Sequence, residues 1–151
     1  MESHSFPLPI AHRLHRPLAD TGITPERIRV LVERFYERTR TDELLGPIFS
    51  TRVRDWDAHY EKMTRFWASA TLRTGTYSGR PIEAHRFDEP GLLTPAHFER
   101  WVREFSAVAR EVFDEPDAAV FIGLAERMAV SISIRLGVRG VGRLLAGEAP
   151  R

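Results

Sequence analysis

Asp55-Trp-Asp-Ala-His-Tyr-Glu-Lys-Met-Thr-Arg-Phe-Trp-Ala-Ser-Ala-Thr-Leu72 decides how the rest of the chain is read. His59, Met63, Phe66, Trp67 and Ala70 recur at i, i+4, i+7, i+8 and i+11, so on a helix they share one face, with Glu61, Lys62 and Arg65 elsewhere. A titratable imidazole therefore opens an otherwise apolar stripe. Either His59 is an ordinary packed histidine, or this face looks onto something that uses an imidazole.

Working outward toward the N-terminus, Gly46-Pro47 interrupts the helical period and is followed by Ile48 and Phe49, which a short turn can push inward. Before it, Thr24-Pro25 supplies a cap residue and a proline at the first helical position. Ile28, Leu31, Val32 and Phe35 then carry a helical stripe to about Arg40, with Tyr36 at its edge. Residues 1–23 contain Pro7, Pro9 and Pro17 without a sustained period and read as a flexible arm.

Toward the C-terminus, Gly75 and Gly79 mark a loop, and residues 81–87 have room for only a short helix carrying His85 and Arg86. Thr94-Pro95 repeats the cap-then-proline signal. Phe98, Trp101, Val102, Phe105, Val108, Ala109 and Val112 then keep an unbroken three-four spacing, which predicts a helix buried along one side. Asp114-Glu115-Pro116 opens the last long helix, with Phe121, Leu124, Ala125, Met128 and Ile132 inward and Gly137 as its stop. The glycine-rich residues 138–151 read as a flexible tail. No strand alternation and no internal repeat emerges, so the fold class is all-α in a single domain over 24–137.

Composition limits the chemistry. The 151 residues carry 22 Lys and Arg against 21 Asp and Glu, a net charge of +1, with no basic run interleaved with aromatics, which argues against nucleic acid as a partner. No apolar run approaches the roughly 20 residues of a membrane span, and the first thirty residues lack the apolar core of a secretion signal; a soluble cytoplasmic protein is expected. The absence of cysteine removes disulfides, thiolate zinc sites, iron-sulfur clusters and cysteine nucleophiles. There is no nucleophile elbow, no phosphate-cradling glycine loop and no cluster at metal-ligand spacing. What remains is a set of Phe- and Trp-rich helices with His59 and His85 on different elements. Two such imidazoles facing each other across a flat apolar slot would suit an iron porphyrin, whose iron imidazole commonly ligates.

Several motifs together strengthen that reading. Phe35-Tyr36, Gly46-Pro-Ile-Phe49, Trp56-Asp-Ala-His-Tyr60, Phe66-Trp67, a proline four residues before His85, and Thr94-Pro-Ala-His-Phe-Glu-Arg-Trp101 resemble, in order and spacing, the group III truncated haemoglobins. The resemblance spans roughly residues 24–137 and implies a shortened globin, a two-over-two helical sandwich around haem b. It implies that His85 is the proximal iron ligand, that Phe49 packs on the porphyrin, and that Tyr36, His59 and Trp101 are the distal polar residues. Met63, Phe66 and Trp67 join as haem contacts through the stripe they share with His59, and Lys62 and Arg86 are candidates for the haem propionates. Against the family pattern, the segment between His85 and Trp101 is longer and the N-terminal arm is extra.

The function implied is reversible binding of dioxygen and other diatomic gases. A haem peroxidase or nitric oxide dioxygenase, which would need a reductase as partner, is the enzyme alternative. A haem-free helical interaction module, in which the aromatics are only core, is the third. His59 itself has two roles open to it, as distal donor or as a second iron ligand in the resting state. The resemblance leaves the oligomeric state open.

Overall fold

The computed structural model describes residues 22–72 and 92–147. Over these it is built from helices only: α1 Pro25–Thr39, α2 Gly46–Arg52, α3 Trp56–Leu72, α4 Pro95–Val112, α5 Glu115–Arg135 and α6 Val141–Leu145. The expected loop around Gly75 and Gly79, the short helix over 81–87, and His85 and Arg86 with it, lie outside the described residues.

Local chemistry sets the starts and stops. Thr24 Oγ1 accepts from the Arg27 N–H at 3.2 Å ahead of Pro25, and Asp114 Oδ1 accepts from the Asp117 N–H at 3.3 Å. Both satisfy an N–H that a helix start leaves without an intrahelical partner. Asp55 caps α3 in the same way, accepting from the Ala58 N–H at 3.2 Å. At the end of α5, Gly137 adopts φ 75° and the Val138 N–H returns to the Ser133 carbonyl at 2.8 Å, a left-handed stop that glycine makes without strain.

α1 packs on α3, α4 packs on α5, and α1 crosses α4, so two helix pairs stack as two layers. Aromatic rings knit the layers together. Phe35 of α1 lies edge-on to Phe105 of α4 at 5.5 Å, Trp67 of α3 stacks on Phe105 at 4.7 Å, and Phe121 of α5 packs against Trp67 at 5.8 Å and Phe113 at 4.7 Å. Each large ring buried here contributes about 1.5–3 kcal/mol of transfer free energy. The start of the described chain is pinned to this core, because the Gly22 N–H donates to Oδ2 of the buried Asp117 at 2.8 Å, and Arg27 bonds the Val112 carbonyl.

Two expectations change. Residues beyond Gly137 do not run on as a free tail over their described part: Gly140 at φ 90° turns the chain into α6, which docks on α4 and α5 and leaves Val141 only 1% exposed. The single stripe expected on α3 is split. His59, Met63 and Phe66 face a cavity, Tyr60, Trp67 and Ala68 turn into the core, and Ala70 is exposed.

Candidate functional site

A cavity of about 440 Å³ lies between α1, α2, α3, α4 and α5. α1 contributes Tyr36, α2 contributes Ile48, Phe49 and Arg52, and α3 contributes His59, Lys62, Met63 and Phe66. α4 adds His97, Phe98 and Trp101, and α5 adds Met128, Ala129 and Ile132. The size falls within the range of small-molecule and cofactor sites, and the walls are mostly aromatic and aliphatic with a few polar groups converging on them.

The turn between α1 and α2 is what brings Phe49 to the cavity. Asp42 Oδ2 accepts from the N–H groups of Leu44 and Leu45, each at 2.9 Å, and Asp42 Oδ1 accepts from Arg100 of α4 at 2.6 Å. Burial alone would raise the Asp42 pKa, but the Leu45 and Leu44 N–H groups and Arg100 outweigh it and hold the carboxyl below its ordinary value. The chain then folds back so tightly that a Cβ on Gly46 would lie 2.6 Å from the Arg40 carbonyl oxygen. Only glycine fits that approach.

The polar groups come from three helices. Tyr36 is 6% exposed, with Phe35, Phe49, Trp56 and His59 around its ring at centroid distances of 4.9, 5.3, 5.5 and 4.8 Å. Burial, with a smaller contribution from Tyr60, pushes its pKa well above the ordinary phenol value, so the hydroxyl keeps its proton at every working pH. His59 is half-buried, with Nε2 sealed from solvent, and meets Trp56 edge-on at 5.7 Å. Arg40 covers the outer face of Trp56 at 4.2 Å and donates to the Tyr60 hydroxyl at 3.3 Å, closing this corner from outside. Trp101, expected on the buried side of its helix, is half-buried: one side of the indole borders the cavity, while it stacks on Phe105 at 5.6 Å and meets Phe35 edge-on at 6.0 Å.

Of the residues singled out from sequence, Tyr36, Phe49, His59, Lys62, Met63, Phe66 and Trp101 are therefore brought to one cavity. Trp67 is not. It is 2% exposed in the interlayer core, turned away from the cavity by the 100° step from Phe66, so it is a packing residue and not a cavity contact. His97 was missed. Its spacing of three from the cap Thr94 and four from Trp101 is the signal that finds it, since the first sets a helix-start contact and the second puts it on Trp101's face.

Two helical layers with an aromatic cavity between them are the architecture of a globin. The family model described as bacterial-like globin matches residues 20–133. The Group 3 truncated hemoglobin ctb of Campylobacter jejuni is 34% identical over 111 residues, which cover 71% of this chain and 86% of that protein. The crystal structure of group III truncated hemoglobin from Campylobacter jejuni superposes with a TM-score of 0.69 at 34% identity, covering 76% of this chain and 91% of the other. The chain belongs to the group III truncated haemoglobins, within the bacterial-like globins. It is by family a haem-binding globin.

The residues present fit such a group. The cavity has planar aromatic walls, donors whose protons are not lost at neutral pH, and the cations Arg52 and Lys62 among its lining, as a flat apolar macrocycle bearing carboxylates requires. No helix among the described residues is long and apolar enough to cross a membrane.

Proposed function

We propose that the cavity holds haem b and that the protein binds dioxygen and other small diatomic gases reversibly, in the cytoplasm. The observation that carries this reading is the convergence of Tyr36, His59 and Trp101, from three different helices, on one otherwise apolar cavity. When bound, haem supplies an iron site that takes a diatomic ligand and shifts electron density onto it. His85 would hold the iron, Phe49, Met63 and Phe66 would pack on the macrocycle, and Lys62 and Arg86 would meet its carboxylates; for His85 and Arg86 the support is the family resemblance.

The chain's own contribution is a set of donors fixed in place. The Tyr36 O–H stays protonated through burial, and the Trp101 indole N–H has no acceptor lone pair with which to compete. His59, packed edge-on between Tyr36 and Trp56, offers an imidazole whose ring position is set by its neighbours. Donors that need no reorganisation stabilise charge at the outer end of a gas ligand and slow its departure. The apolar walls lower the local dielectric and strengthen each such bond.

The same donors would favour cleavage of an O–O bond, so the peroxidase and nitric oxide dioxygenase readings share this cavity and differ in needing a reductase. Mixing the reduced, haem-loaded, dioxygen-equilibrated protein with nitric oxide separates them. The reversible-binding reading expects a single stoichiometric reaction and no sustained nitrate production when a flavin reductase and NADH are supplied. Sustained turnover would replace it with the dioxygenase.

A further inference from the structure

His97 is placed by the Thr94 cap, whose backbone N and Oγ1 both lie 3.0 Å from Nδ1, and its other ring nitrogen is available for a further contact. The Thr94 N–H donates to His97 Nδ1 at 3.0 Å, the reach-back half of a capping box, and this seats the ring at the first turn of α4. A nitrogen that accepts a backbone N–H carries no proton in the neutral imidazole, so the proton resides on Nε2. Burial also lowers the pKa of His97, which keeps the ring neutral and this tautomer in place near pH 7. The far edge of the ring therefore offers a single fixed donor, and His97 lines the cavity.

Its position in the cavity indicates what the donor meets. His97 lies one turn before Trp101 on the same face of α4 and is half-buried, whereas Trp101 sits deeper, against Phe35 and Phe105. The cavity lining among the described residues also contains Arg52 and Lys62, both exposed, and no carboxylate. A donor and two cations, from α2, α3 and α4, thus line the same cavity, without a carboxylate among its described lining.

We propose that His97 is a carboxylate-binding residue of the cavity, whose Nε2–H, oriented by the Thr94 cap, donates to a propionate of the bound porphyrin. The proposal rests on the haem reading above and gives a role to a residue to which neither the resemblance nor the stripe on α3 assigned one. It joins helix capping to cofactor retention in one side chain: the bond that orders the first turn of α4 is also the bond that fixes the donor.

The test uses the full chain, wild type, His97→Gln, His97→Leu and His97→Glu, each loaded with haem or with haem dimethyl ester, and reads the rate of haem transfer to an excess of a scavenging apoglobin. Gln keeps both a cap acceptor and a donor and should lose haem within about two-fold of wild type. Leu should lose it about ten-fold faster, the loss of one hydrogen bond to a charged group. Glu keeps the helix cap but sets a like charge against the propionate, and should be faster than Leu. With the dimethyl ester, whose carbonyl still accepts a hydrogen bond but carries no charge, the excess loss from Glu over Leu should vanish and the gap between Leu and wild type should narrow. Equal haem-loss rates in wild type, Leu and Glu, or differences that persist undiminished with the ester, overturn the proposal while leaving the haem reading intact. Failure of the wild type to take up haem at all overturns both. Thermal unfolding of the haem-free proteins gives the independent readout: a residue that only caps predicts that Leu is destabilised and Glu is not, with no difference in haem loss between them once stability is matched.

Discussion

Replacing Tyr36 by Phe removes one oxygen and leaves every ring contact in place: Phe35 at 4.9 Å, Phe49 at 5.3 Å, Trp56 at 5.5 Å, His59 at 4.8 Å and Tyr60 at 5.9 Å. The perturbation is therefore close to a pure loss of a donor. If the Tyr36 hydroxyl bonds a gas ligand that carries partial negative charge, its removal costs about 1.5–3 kcal/mol of complex stability. At 1.4 kcal/mol per decade, that is a dissociation rate roughly 10- to 150-fold faster, with association changed far less because the hydroxyl acts on the bound ligand. Stopped-flow displacement of dioxygen by carbon monoxide measures it directly. The wild-type rate should not vary between pH 6 and 9 on account of Tyr36, since burial keeps the phenol protonated throughout. An unchanged dissociation rate in a Tyr36→Phe protein with an unchanged melting temperature would refute the assignment of Tyr36 as a distal donor.

Other changes separate the cavity from its frame. Trp67→Ala should cost about 3–5 kcal/mol in urea unfolding of the haem-free protein, as removal of an interlayer core ring; a change in haem affinity without that cost would return Trp67 to the cavity. Gly46→Ala forces a Cβ to within 2.6 Å of the Arg40 carbonyl and should destabilise by roughly 1–3 kcal/mol while displacing Phe49, visible as a lower melting temperature and a broadened haem spectrum. Asp42 has a folded-state pKa below its unfolded one, so its contribution to stability is complete above the unfolded carboxylate value and is lost as pH falls through the folded value. Asp42→Asn should therefore lower stability at pH 7 and flatten that part of the acid limb, and an acid limb of unchanged slope would count against it.

Much of this is legible in the sequence. Thr24-Pro25, Thr94-Pro95 and Asp114-Glu115-Pro116 announce helix starts because cap chemistry is local, and the structure begins α1, α4 and α5 at those signals. Tyr36, Phe49, His59 and Trp101 could be named together only through the order of short motifs, because no periodicity says that four helices share a cavity. Periodicity also misled on α3. A 3.6-residue repeat marks the side of a helix but not where core ends and cavity begins, and Phe66 and Trp67, adjacent in sequence, fall on either side of that line. α6 was hidden for a different reason. Glycines at 137 and 140 signal chain reversal, and whether the reversed chain frays or docks depends on a tertiary pocket for Val141 that no local rule encodes.

A porphyrin enclosed by these helices would be held by the imidazole of His85. Titrating hemin into the full-length protein and into His85→Ala, followed by Soret absorbance, tests it most directly. Equimolar uptake by the wild type, giving a spectrum of imidazole-ligated haem that is lost in the variant, is the expected result. A wild type that stays spectrally silent, or a variant that retains haem with the wild-type spectrum, would contradict it.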